Sequence, residues 1–256
     1  MELSRVHGFF KGVLCIMFSL LRKQFSRIIE EHGFEEEKVI IEVRPLSKEE
    51  AIGKLSDKEF ALVRGEEVLI EARFRNAVGQ AFTDEPSEFR GKLREIVKLK
   101  LNTNRERALF IASLNAVMRY LGLVKNTKHC RDNGPWVCAE KLLKYVKENY
   151  GRPKIAIIGY QPAFVKTLSR MFEVRVTDMC EKNIGKIKFG VLVESYLNNI
   201  EVSKWADIVL ATGSSIVNNT LHELLPFRKK LILYGVTCAG AAKVMGLKRW
   251  CVSEEI

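Results

Sequence analysis

From residue 154 to the carboxyl end, short and wholly apolar runs alternate with helical segments, and this pattern constrains the fold more than any other feature. The runs occupy 154–158, 173–177, 190–193, 207–211, 230–234 and 249–252. A strand that is apolar at every position has both faces covered, which is the condition of a parallel sheet between two helical layers. Alternating β and α units then predict an α/β fold with a Rossmann-like, doubly wound, mostly parallel sheet.

The first hundred residues read differently. Leu14, Phe18, Leu21, Phe25, Ile28 and Ile29 recur at three- and four-residue steps, so 13–31 reads as an amphipathic helix ended by Gly33. Strands are predicted over 38–44, 59–64 and 67–74, the last two flanking Gly65 as a hairpin, and helical patterns over 88–98 and 105–120. This describes a small α+β unit, a three-stranded meander with helices. The boundary falls near 99–104, where Asn102, Thr103 and Asn104 also supply a helix N-cap. Two domains are therefore expected, 1–100 and 101–256.

Composition narrows the function classes. With 47% hydrophobic and 29% charged residues over 256 positions, disordered, collagen-like and coiled-coil classes are excluded. Lys and Arg number 42 against 31 Asp and Glu, a net charge of +11 that favours anionic partners. The basic residues are scattered, and neither 90–107 nor Arg228, Lys229 and Lys230 is interleaved with aromatics, so no specific nucleic-acid partner is expected. The apolar run 9–21, broken by Lys11 and Gly12, is shorter than the about 20 residues a membrane span needs. No small-residue cleavage site follows it, so it reads as a docked helix of a cytoplasmic protein with no membrane partner, and Met17 is an alternative start. Six dispersed cysteines fit reduced thiols. Only three Gln among many Lys and Glu is a thermophile-like balance, which keeps a Cys130–Cys138 bridge open as an alternative. A homodimer is expected on base rates alone.

In an open parallel sheet, ligands bind beyond the carboxyl ends of the strands. Five loops should share that rim: Gly159, Tyr160, Gln161 and Pro162; Thr177, Asp178, Met179 and Cys180; Glu194 and Ser195; Thr212, Gly213, Ser214 and Ser215; Gly235, Val236, Thr237 and Cys238. The first loop lacks the G-x-G-x-x-G fingerprint, so NAD is not expected, and Pro162 is placed to begin a helix. Asp178 stands where an acidic residue would contact a ribose. The segment 212–220 is the densest run of small hydrogen-bonding residues in the chain. Gly213 permits close approach, Ser214 and Ser215 offer donors, and Asn218, Asn219 or Thr220 would cap the helix carrying Leu221, Leu224 and Leu225; a turn plus a cap is the plain alternative.

His129 and Cys130 adjoin, and Cys138 follows in what reads as a loop with Gly134 and Pro135. Imidazole and thiolate are ligands of soft and borderline metals, although the spacing matches no standard zinc motif. Folding of 129–138 toward Cys180 and Cys238 would bring three to five soft donors together; otherwise these are silent cysteines and a surface histidine. His7, His32 and His222 lack catalytic context, and no Walker A, H-E-x-x-H or G-x-S-x-G pattern is present.

These residues resemble a family named for heavy-metal chelation, with an enolase-amino-terminal-like domain ahead of a Rossmann-like one. The stretches that carry the resemblance are Gly79–Gln80–Ala81–Phe82–Thr83, Ala112–Ser113–Leu114–Asn115–Ala116, His129–Cys130 with Cys138, Ile158–Gly159–Tyr160–Gln161–Pro162, and Ala206 through Thr220, the last being the most specific. The resemblance implies a ligand site in the cleft between the two domains. One departure stands out: such proteins tend to carry a proline-bearing loop after the fifth strand, and here it reads Gly235–Val236–Thr237–Cys238–Ala239–Gly240.

The expected function is binding of a metal ion or a metal-carrying small molecule in that cleft. His129, Cys130, Cys138 and Cys238 are the candidate ligands of a transition metal of open identity. Gly159, Tyr160, Pro162, Asp178, Thr212, Gly213, Ser214, Ser215, Asn218 and Thr220 shape an anion-accepting rim. The alternative is an enzyme acting on a phosphorylated, nucleotide or adenosyl-type molecule at the same rim.

Overall fold

The computed structural model describes residues 2–36, 44–45 and 68–252. The first helix, α1 (Glu2–Glu31), begins earlier than its periodicity predicts and ends where expected. Gly33 adopts φ +65° and the Phe34 amide reaches back to the Ile29 carbonyl at 2.8 Å, closing the last turn. Met17, Leu21, Phe25 and Ile29, four residues apart, bury one face. Among the described residues no helix is long and apolar enough to cross a membrane.

An antiparallel sheet follows in the order β1 (Arg44–Pro45), β2 (Val68–Phe74), β3 (Ala77–Thr83). The strand expected over 59–64, the turn at Gly65 and most of the strand over 38–44 lie outside the described residues. The hairpin of this sheet turns instead at Arg75 and Asn76, and β3 has no counterpart in the sequence reading. Gly79 in its centre reads as a strand breaker, yet a Cβ there would lie 2.2 Å from the Ala116 amide nitrogen and 2.3 Å from the Ala112 carbonyl oxygen. The glycine is what lets a helix lie directly on the strand. Arg75 takes the left-handed backbone (φ 52°), and its guanidinium lies over the rings of Tyr120 and Phe34 at 4.7 and 4.8 Å.

Helix α2 (Leu93–Val97) is shorter than the 88–98 pattern. Helix α3 (Asn104–Tyr120) is capped as predicted: the Thr103 hydroxyl accepts from the Glu106 amide at 3.2 Å, and the Glu106 carboxylate accepts from the Asn102 amide at 2.8 Å. Helix α4 (Gly134–Tyr150) corrects the reading of 134–138 as loop. Pro135 sits in its first turn, where the missing N–H costs nothing, and Cys138 is helical.

The second sheet contains β4 (Lys154–Ile158), β5 (Glu173–Asp178), β6 (Ile187–Lys188), β7 (Val191–Ser195), β8 (Ile208–Thr212), β9 (Leu231–Tyr234) and β10 (Lys248–Trp250), ordered β10-β9-β8-β4-β5-β7-β6. All neighbours are parallel except β6 with β7. Taken in chain order, the parallel strands have the doubly wound arrangement of the Rossmann fold, with the topological switch between β4 and β8. The connecting helices are α5 (Pro162–Leu168), α6 (Asn199–Trp205), α7 (Ser214–Val217), α8 (Leu221–Leu224) and α9 (Ala239–Met245).

Two-residue alternation divides the apolar strands between two cores. Ile155, Ile157, Ile208, Leu210 and Ile232 pack toward α4 and α5. Ala156, Ile158, Val209, Ala211, Leu231 and Leu233 pack on the other side, in a cluster continuous through α3 and α1 to Ile70 and Ala81 of the small sheet. Helix α3 is thus shared, with β3 on one side and α9 on the other.

Candidate functional site

The carboxyl ends of β4, β5, β8 and β9 open into one cavity of about 480 Å³. Its walls include all ten rim residues expected from the sequence: Gly159, Tyr160, Pro162, Asp178, Thr212, Gly213, Ser214, Ser215, Asn218 and Thr220. Phe82 and Asp84 close it from the end of β3, and Asn104 from the start of α3. Its size falls in the range of small-molecule sites, roughly 300–1,000 Å³.

Local hydrogen bonds fix each rim loop. Gln161 caps α5, its side-chain oxygen accepting from the Phe164 amide at 2.6 Å, and Pro162 opens the helix as predicted. Asp178 accepts from the Tyr160 amide at 3.1 Å, the Cys180 amide at 2.8 Å and the Asn183 carboxamide at 2.9 Å. It therefore braces the first two loops against each other. The Ser215 hydroxyl donates to the Thr212 carbonyl at 2.7 Å, and the Gly213 amide to the Tyr234 carbonyl at 2.9 Å, so the serine-rich turn is held from inside. The expected cap from Asn218, Asn219 or Thr220 is absent: Thr220 precedes α8 without a side-chain cap bond. Glu194 is not on the cavity wall. Its two oxygens bind Arg175, both at 2.7 Å, and the rim there is formed by Tyr196.

Among the sulfur and imidazole candidates, His129, Cys130 and Cys138 line the cavity. Cys238 does not: it is buried, with its Sγ within 3.4 Å of the Gly235 carbonyl and 3.5 Å of that of Tyr234. Cys251, which the sequence reading left without a role, lines the cavity instead, as does Cys180. No motif precedes Cys251; the β10 pairing brings it there, together with the Asn126 carboxamide, which donates to its carbonyl at 3.0 Å. Cys130 and Cys138 are free thiols, so the alternative bridge is not formed. The His129 amide donates to the Gln80 side-chain oxygen at 2.6 Å, and the Gln80 amide group donates in turn to buried Glu71 at 2.9 Å. Two strands of the small sheet thereby position the cavity loop.

Burial dominates the electrostatics. It pushes the Cys130 thiol up to about 12, with the neighbouring Cys138 and Cys251 thiols adding to the rise, and it raises Cys138 and takes Cys238 to about 11. It pushes His129 down to about 4, which keeps the imidazole neutral. A neutral imidazole suits a metal, and a thiol must release its proton to become a ligand, because the thiolate is what binds. Among the described residues, no group of three or more His, Cys, Asp or Glu side chains is arranged to hold a metal ion. The described residues thus offer no ready ligand set for a bare ion.

A doubly wound, mostly parallel sheet with a cavity at its topological switch defines a Rossmann-like class of protein. Within that class, residues 141–246 match the model of the family DUF364, whose description reads "Putative heavy-metal chelation". Two solved structures from that family, both of unknown function, share the fold. One, from Pyrococcus horikoshii, is 21% identical, with 86% of this chain and 79% of that chain covered and a TM-score of 0.54. Another, from Desulfitobacterium hafniense DCB-2, is 16% identical, with 89% and 83% covered and a TM-score of 0.54. No curated protein matches the chain in sequence.

Proposed function

We propose that the protein binds a small organic molecule in the cavity at the carboxyl ends of β4, β5, β8 and β9, and that any metal enters as that molecule's chelate. The observation that carries this reading is the cavity itself, which is sized for a molecule and has no preformed ligand set for an ion among the described residues. The family description, heavy-metal chelation, supports a metal in the bound species. The organic ligand would supply most of its donors, with His129, Cys130 or Cys138 at most completing the shell.

Untagged protein purified anaerobically should carry a transition metal and an organic mass in equal amounts, read by elemental analysis and native mass spectrometry. In Asn218→Trp, which fills the cavity from the rim, both should vanish together. Metal retained by that variant, or metal without an organic mass, would refute the reading.

A further inference from the structure

The chain carries 42 Lys and Arg residues, yet among the described residues none of them lines the cavity. The carboxyl side chains among the described wall residues are Asp84 and Asp178, and His129 is neutral there. Three nearby basic residues are committed elsewhere. Arg107 donates to the carbonyls of Val217 and Leu101 and to Asn104. Arg249 donates to the carbonyls of Gly235, Lys125 and Asn126. Lys166 lies over the rings of Trp136 and Phe189.

A phosphate site needs cationic side chains or a cluster of open backbone amides. Two of the rim amides that could serve, those of Tyr160 and Cys180, already point at the Asp178 carboxylate. At these two amides the protein's own anion takes the donors a phosphate would use. Six aromatic side chains, Phe82, Tyr160, Phe164, Tyr196, Tyr234 and Trp250, share the wall with the small neutral polar residues of the rim. Phe164 and Tyr234 form an edge-to-face pair at 4.9 Å, and the Tyr234 hydroxyl is tied to the Gly159 carbonyl at 2.8 Å. Asp178 is held by three neutral donors and Asp84 by the Asn104 carboxamide, with Arg107 close enough to act on Asp84 electrostatically. Ring faces beside such carboxylates attract flat molecules and cations more than anions.

We infer that the cavity selects a ring-bearing organic molecule, or its metal chelate, that is neutral or cationic, and rejects phosphorylated ones. This rests on the cavity being the binding site. It also reverses what the net charge of +11 suggests for the molecule as a whole.

The cavity thiols report its potential whether or not a ligand is bound. The reduced full-length protein is treated at low ionic strength with the cationic aminoethyl or the anionic sulfonatoethyl methanethiosulfonate, and labelling of Cys138, Cys180 and Cys251 is followed by peptide mass. Each rate is divided by that of the same cysteine in the unfolded chain. The cationic reagent should be favoured at least tenfold, the preference should shrink in high salt, and Asp84→Lys should abolish it. Equal rates, faster labelling by the anionic reagent, or no labelling by either would overturn the inference. Such a failure leaves the binding reading intact, since that reading stands or falls on retained metal and organic mass.

Discussion

The Gly240 amide donates a hydrogen bond of 2.7 Å to the side-chain oxygen of Asn115, joining residues 125 positions apart. The other end of the same carboxamide donates to the carbonyls of Gln80 and Thr237, both at 3.0 Å, and of Val236 at 3.3 Å. One fully buried side chain thus ties β3, α3 and the loop after β9 together beneath the cavity.

Replacing Asn115 with Ala leaves a buried amide and buried carbonyls without this partner, each at a cost of about 1–3 kcal/mol when no water replaces it. Asn115→Ala should lose about 3–5 kcal/mol in urea unfolding. Asn115→Asp should be at least as damaging, because a carboxylate would face those carbonyls. A loss below about 1 kcal/mol for either would show that the clamp is dispensable.

Gly79 and Gly33 make a matched test of two reasons for a glycine. At Gly79 an added methyl would meet the α3 backbone at 2.2 Å, and neither side has a flexible end to yield. Gly79→Ala should cost about 3 kcal/mol or more, the upper range of overpacking. At Gly33 nothing lies within 4 Å, and only the left-handed backbone opposes a side chain. Gly33→Ala should cost about 1–2 kcal/mol. Equal melting points for the two variants would contradict this assignment of causes.

Strands β4, β8 and β9 were legible in the sequence because burial on both faces leaves little but apolar residues. Strands β5 and β7 were less so because they carry charged, half-exposed positions, and the loops after the strands form the cavity rim by topology. The rim residues from Gly159 to Thr220 were legible for that reason. Long-range features were not. β3 is a strand because α3 covers Gly79, and Cys251 reaches the cavity through the pairing of β10 with β9. Cys238 reads as a rim thiol from its loop, but its Sγ turns inward to the Tyr234 and Gly235 carbonyls. Asn115 stood in a helical stretch with nothing to mark it as a clamp.

Cysteine variants separate a chelate from a protein-held ion. Cys238→Ser removes a thiol that does not reach the cavity, so metal content should not change. Cys130→Ser combined with Cys138→Ser removes two wall thiols, and the metal carried per protein should stay within about twofold of the parent if the organic molecule supplies most donors. Complete loss of metal from the double variant, with its fold intact by circular dichroism, would favour the protein-held ion instead.

Acid and base limbs of stability have different owners. His129 has a folded-state value of about 4 against 6.5 for an ordinary histidine. Its contribution is therefore fully present above pH 6.5 and is lost as the pH falls through 6.5 toward 4, on the order of 2 kcal/mol across that window. Glu194, held low by Arg175, adds to acid sensitivity only below its ordinary 4.5. The thiols act in the opposite direction. Burial raises Cys130 to about 12 and Cys238 to about 11 from 9, so their contribution is present below pH 9 and is lost as the pH climbs through the folded-state values. Urea midpoints should be flat from about pH 7 to 8.5 and fall on both sides. His129→Gln should remove most of the slope between pH 6.5 and 5 while leaving the alkaline limb unchanged. An acid limb of undiminished slope in that variant would mean that a group other than the His129 imidazole controls it.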